Sequence, residues 1–300
     1  MGLYAAAMCG FAAPTAAASQ LESLAMAEAP PAAAAAAPTP TKSAAAPEAR
    51  ALAARFEAHG YDWDSVLTGD PVPDFTVRTL PKDLARLRDV ELKKSLFFRA
   101  LLPATLQVNR DIEVDRKRLL DLKAKRDRGV ALDAIDRAWL SALAVDYGGD
   151  LSDLGDLALR VDGVPPSLVL AQAAEESGWG TSRFVREGNA LFGQYTWSDD
   201  HDGIVPAEAN DGSRRVRAFA SVKGAVAAYI HNLNSHSAYE RFRLRRASGA
   251  SGYELAASLK NYSVRGEDYV DTLRIIMRAN NLSAVDEAEL SDEIQISRFP

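Results

Sequence analysis

Ala171-Gln-Ala-Ala-Glu-Glu-Ser-Gly-Trp-Gly180 closes an apolar stretch that opens at Val164-Pro-Pro-Ser167. The prolines suit a first helical turn, where a missing N–H goes unnoticed, and Gly178 suits the end, where the chain turns left-handed. Leu168, Leu170, Ala171 and Ala174 favour burial against other helices, so the element is predicted to be short and internal. Gln172 and Glu176 lie four residues apart and share a face, which puts Glu176 at the end of a buried helix.

A carboxyl group in that position is partly desolvated beside apolar and aromatic surface. Its charged form is disfavoured, so it stays protonated near neutral pH, as a general acid requires. Trp179 offers an indole wall, and Gly178 and Gly180 would let a bulky ligand approach the backbone. A bare Glu175-Glu176 pair would read as a solvated helix end, and it is the surrounding residues that favour the first reading.

Working outward, Asp89–Leu101 carries Val90, Leu92, Leu96, Phe97, Phe98 and Leu101 among charges and predicts an amphipathic helix, with Pro103 as its boundary. From Leu106 to Leu122 a long surface helix follows, and Leu132–Tyr147 predicts a third that Gly148-Gly149 stops. Phe97, Phe98 and Trp139 read as core. Downstream, Gly266–Asn280, with Tyr269, Val270, Leu273, Ile276 and Met277, predicts a supporting helix.

The chain has 300 residues with 35 Lys and Arg against 41 Asp and Glu, a formal net charge of -6, which argues against a nucleic-acid binder. The basic run Arg241-Phe-Arg-Leu-Arg-Arg246 reads as the solvated face of a helix. With Cys9 as its one cysteine, the chain can build no intramolecular disulfide, four-cysteine zinc site or cysteine triad. His201, His231 and His236 lack zinc-motif spacing, and Ser177 and Ser182 lack a nucleophile elbow, so no metal, cofactor or serine nucleophile is expected.

Residues 1–19 are small and apolar, with Ala-x-Ala possibilities near Ala16–Ala18 but no positive leading region, and read as a candidate export signal. Pro30, Pro31, Pro38, Pro40 and Pro47 interrupt an alanine-rich tract that reads as a linker. No later segment reaches the roughly 18 uncharged apolar residues of a spanning helix, so no transmembrane segment is expected. The predicted organisation is a signal and linker over 1–50, a helical extension over 51–149, a main domain over 150–282 and a tail over 283–300.

The quoted segment, with Thr181-Ser-Arg-Phe184 and Asn189-Ala-Leu-Phe-Gly193, resembles the glucosaminidase domain of glycoside hydrolase family 73. Phe97-Phe98-Arg-Ala-Leu-Leu-Pro103 and Tyr262-Ser-Val-Arg-Gly266 look like the bacterial Bax-type members of that family, and the likeness spans roughly residues 60–282. The resemblance implies an α+β, predominantly α-helical, lysozyme-like glucosaminidase domain with a small β-hairpin lobe and an N-terminal helical extension. It also implies hydrolysis of bonds next to N-acetylglucosamine, with peptidoglycan or a related glycan as partner and a periplasmic or cell-envelope location.

By the same resemblance the acid maps onto Glu176, and Glu175 stands where an apolar residue is common. Ala190 departs in the same way from a frequent second asparagine. A second carboxylate is expected in the β-lobe between Trp197 and Phe219, where Asn210-Asp-Gly212 offers a hairpin turn. Glu208 is the first choice and Asp211 the second, with Asp199, Asp200 and Asp202 read as loop solvators. Tyr262 matches a family tyrosine that faces the cleft, and Gln172, Trp179, Asn189, Phe192 and Gly193 are expected to bind substrate. Two alternatives stay open: a lytic transglycosylase, which yields anhydro sugars, and a non-catalytic wall-binding protein.

Overall fold

The structure, a computed structural model, describes residues 46–196, 202–206 and 214–291. Its helices are α1 (Pro47–Ala58), α2 (Trp63–Leu67), α3 (Val90–Asp127), α4 (Ala134–Tyr147), α5 (Leu154–Arg160), α6 (Pro166–Ser177) and α7 (Arg183–Gly188). After the strands come α8 (Val222–Ser235), α9 (Glu240–Ala247), α10 (Gly252–Leu255) and α11 (Glu267–Ala279). Strands β1 (Tyr195–Thr196), β2 (Gly203–Ile204) and β3 (Arg215–Arg217) form one antiparallel sheet in the order β1-β3-β2. The chain is therefore α+β and predominantly helical. Its lobe is a three-stranded sheet rather than a lone hairpin, with Val216 facing Tyr195 on one side and Ile204 on the other. The turn expected at Asn210-Asp-Gly212 lies outside the described residues.

The axis of the molecule is α3. Every residue from Leu96 to Val108 is buried, so this stretch is covered on all sides, as befits a helix wrapped by others, and its polar Arg99, Thr105 and Gln107 are each hydrogen-bonded. Helices α6, α8, α5 and α1 pack around it. Pro103, read from sequence as a boundary, lies inside one continuous helix. A mid-helix proline costs about 3 kcal/mol, and a single buried Leu or Phe contributes roughly 1.5–3 kcal/mol. Leu101, Leu102, Leu106 and Phe98 around it outweigh the lost hydrogen bond. Beyond Val108 the helix reaches the surface and buries one stripe, Ile112, Leu119 and Leu122.

Three other expectations change. Helix α1 begins at Pro47, inside the stretch read as linker, because Asp83 caps it from a distance: its carboxylate accepts the N–H groups of Glu48 (2.8 Å) and Ala49 (3.0 Å). The stretch read as a tail from residue 283 contributes Val285 to the core and hydrogen-bonds Val72 in both directions, through Glu289 and Ser291. In the basic run on α9, Arg243 is 1% exposed and donates to the carbonyls of Leu233 and His236. Arg246 donates to the carbonyls of Leu159, Asp162 and Gly163 and to Asn234 Oδ1, tying the end of α5 to α8 and α9. Half of that run is internal because guanidinium groups can satisfy carbonyls that no helix covers.

Core residues run without a break from Ala46 to Val285, so the helices before residue 150 and those after it share one interior. Among the described residues, no helix is long and apolar enough to cross a membrane.

Candidate active site

Helix α6 is held at both ends, and each hold explains part of the motif. Its N-terminus has prolines and no side-chain cap of its own. Asp286 supplies one, accepting from the Ser167 N–H (2.8 Å) and the Ser167 hydroxyl (2.9 Å). Burial pushes the Asp286 carboxyl above its usual range, and the hydrogen bonds from Ser167 oppose that rise. Asn109 on α3 clamps the preceding loop, giving Nδ2–H to the Val164 carbonyl (2.8 Å) and accepting the Val164 N–H (3.1 Å).

At the C-terminus the backbone turns left-handed three times running, with φ of +56° at Gly178, +59° at Trp179 and +74° at Gly180. A non-glycine residue there is strained by about 1–2 kcal/mol. The Trp179 ring offsets that by packing edge-on against Phe97 (5.9 Å) and Phe98 (5.4 Å) of α3. The Ser177 hydroxyl donates to the Ala173 carbonyl and accepts the Gly180 N–H, closing the turn from inside. A Cβ on Gly180 would lie 2.6 Å from Leu80 and 3.1 Å from Phe97. Gly180 is therefore small toward the core and not toward a ligand, which corrects its expected role.

Along α6 only Glu175 and Glu176 escape full burial between Pro166 and Ser177. Desolvation lifts the Glu176 carboxyl from 4.5 to about 7, and the charge of Glu175 pushes the same way. The Tyr269 hydroxyl, facing the carboxyl as a hydrogen-bonding group, and the Arg265 guanidinium oppose part of the rise. Arg265 itself pairs with Glu175 and also donates to the Thr272 hydroxyl on α11 (2.6 Å). The departure at Glu175 thus has its own cation, and burial decides the state of Glu176.

Around this carboxyl stands a group of tyrosines. Tyr269 on α11 and Tyr229 on α8 are buried, and Tyr262 is half-buried. Tyr262 stacks parallel to Tyr269 with centroids 5.8 Å apart, and its hydroxyl donates to the Phe192 carbonyl (2.9 Å). Burial first, and the nearby Glu176 charge after it, hold the Tyr262 and Tyr269 hydroxyls well above the usual tyrosine range, so both remain neutral donors. Phe192 stacks on Tyr229 at 4.0 Å. Through Phe192 the β-lobe joins the site, since β1 begins three residues later.

The structure thus brings Glu176, Tyr262, Gln172 and Phe192 together. Gln172 and Phe192 are 0% and 1% exposed and hold tyrosines in place, so their side chains have no free surface for a ligand. Asn189, left-handed at the end of α7 and 5% exposed, ties that helix to the Phe219 carbonyl. Gly193, also left-handed, is buried beside them, and Trp179 is half-buried against α3. Glu208, Asp211, Asp199 and Asp200 lie outside the described residues, and Asp202 is exposed, with its carbonyl accepting the Ala218 N–H. Tyr269, Tyr229, Arg265 and Asp286 were missed from sequence. Tyr229 and Tyr269 carried a legible signal, because a tyrosine on the apolar face of a helix needs a partner for its hydroxyl.

Residues 156–282 match the family described as mannosyl-glycoprotein endo-beta-N-acetylglucosaminidase. The chain is 33% identical over 210 residues to protein Bax of Escherichia coli (strain K12), an alignment that covers 66% of this chain and 73% of that protein. No solved structure matches. A buried helix ending in a glutamate whose midpoint burial lifts to about 7, framed by tyrosines inside the matched residues, is in keeping with these likenesses, and the chain belongs to the glucosaminidase family.

Proposed function

We propose that this chain hydrolyses β-N-acetylglucosaminyl bonds in peptidoglycan with Glu176 as the general acid. The observation that carries the reading is a carboxyl at the open end of a buried helix, lifted to about 7 by burial and faced by neutral tyrosine hydroxyls. In the proposed step Glu176 gives its proton to the glycosidic oxygen as the bond to the anomeric carbon breaks, and the positive charge gathers on the sugar. Water, deprotonated by a base or preceded by attack of the substrate's own acetamido oxygen, then completes hydrolysis and leaves a reducing end.

Glu208 is the proposed base. Among the described residues, the one carboxylate that acts on Glu176 is Glu175, and its charge is matched by Arg265. That observation keeps a single-glutamate mechanism in view, either assisted by the acetamido group or forming the anhydro sugar of a lytic transglycosylase. Tyr262 is proposed to meet the sugar near the reacting centre while its hydroxyl keeps donating to the Phe192 carbonyl.

The test is digestion of purified peptidoglycan by the wild-type chain, Glu176→Gln and Glu208→Gln, each matched for folding, with products read by mass spectrometry. Reducing fragments from wild type and none from Glu176→Gln support the reading. Anhydro products select the transglycosylase, and binding without turnover by wild type selects a wall-binding role. Because the proposed substrate lies in the cell envelope, the reading carries an envelope or periplasmic location, which cell fractionation checks.

A further inference from the structure

Gln172 is fully buried and its amide is used at both ends. Its Nε2 donates to the Tyr269 oxygen (2.9 Å), and its Oε1 accepts the Tyr229 hydroxyl. An amide NH₂ can only donate, so the Tyr269 oxygen is the acceptor in that contact and its own proton is left for another group. Glu176 lies one turn beyond Gln172 on the same face of α6, and its carboxyl and the Tyr269 hydroxyl act on each other. The amide orientation has a cause as well. Tyr229 has no other hydrogen-bond partner among the described residues, so turning the amide over would leave the Tyr229 proton buried without an acceptor.

We propose that Tyr229 and Gln172 are positioning residues for the acid: Tyr229 locks the Gln172 amide in one orientation, and the locked amide aims the Tyr269 proton at the Glu176 carboxyl. With the amide reversed, Oε1 would take the Tyr269 proton, and Glu176 would lose a donor while keeping its burial. The device therefore sets how readily Glu176 gives up its proton from two hydrogen bonds away. The other groups that bear on Glu176 are Glu175 on its own helix and Arg265 in the loop before α11, while the Glu176 charge in turn acts on the phenols of Tyr262 and Tyr229, which also sense Tyr239. Among the described residues, Tyr229 is the one hydroxyl that donates to Gln172.

The inference rests on Glu176 being the acid, but its test reads the carboxyl and not turnover, so an inactive protein leaves the test intact. In the full chain with ¹³C-labelled glutamate carboxyls, the Glu176 signal is assigned by its loss in Glu176→Gln and titrated. Tyr269→Phe removes the donor and moves the Glu176 midpoint up by about half a unit or more. Tyr229→Phe, which touches Glu176 through no hydrogen bond, moves it the same way, and the double variant moves it no further than Tyr269→Phe alone. Gln172→Met, which leaves Tyr269 free to donate to Glu176, moves it less than Tyr229→Phe. A Tyr229→Phe midpoint equal to wild type, additive shifts in the double variant, or a larger shift from Gln172→Met each overturns the proposal.

Discussion

Arg265 forms its ion pair with Glu175 and leaves Glu176, the next residue, without a partner of opposite charge in direct contact among the described residues. A guanidinium placed on Glu176 would hold it ionised. Placed one residue away, it cancels a neighbouring charge and lets desolvation raise the Glu176 midpoint.

Replacing Arg265 by Ala is therefore expected to raise the Glu176 midpoint further, since it removes an opposing cation and exposes Glu176 to an uncompensated Glu175. The alkaline limb of the pH–activity profile moves to higher pH. Because the pair is partly exposed, its loss costs under about 1 kcal/mol of stability. A limb that moves down would contradict this account.

Glu176 also carries a stability cost with a definite sign. Its folded midpoint of about 7 lies above the ordinary 4.5, so the folded state holds the extra proton between those values. Below that window the cost is absent, it grows as pH rises through the window, and above it the full penalty is present, about 2–3 kcal/mol for this half-buried group. Glu176→Gln is expected to be more stable than wild type at pH 8 by that amount and nearly equal at pH 4.5. Urea unfolding at both pH values measures the difference.

Gly180→Ala is expected to lose about 2–4 kcal/mol, from a left-handed backbone and a Cβ driven toward Leu80, Phe97 and Leu84. A loss below 1 kcal/mol would mean that Gly180 does not meet the core as described.

Asp286→Ala removes the cap of α6 from the far end of the chain and is expected to cost about 2 kcal/mol. Activity per folded molecule should survive, because the lost contacts sit at the opposite end of the helix from Glu176. Denaturant midpoints and turnover measured on the same samples separate the two effects.

Local signals were enough for the heart of this protein. Proline at the start of α6, aliphatic residues through it and glycine after Ser177 are short-range statements about backbone and burial. Together they placed Glu176 at the end of an internal helix before any partner was known. The apolar face of α11 and the core roles of Phe97 and Phe98 followed from the same periodicity.

What required the tertiary structure were contacts between residues far apart in the chain. Pro103 stays inside α3 because other helices bury every side of that turn. Gly180 faces Leu80 and Phe97, Asp286 caps Ser167, Arg246 gathers the carbonyls of another loop, and Gln172 spends its amide on Tyr229 and Tyr269. Sequence spacing fixes which face of a helix a residue occupies, but the group across from that face is chosen by packing, and it is packing that sets the proton on Glu176.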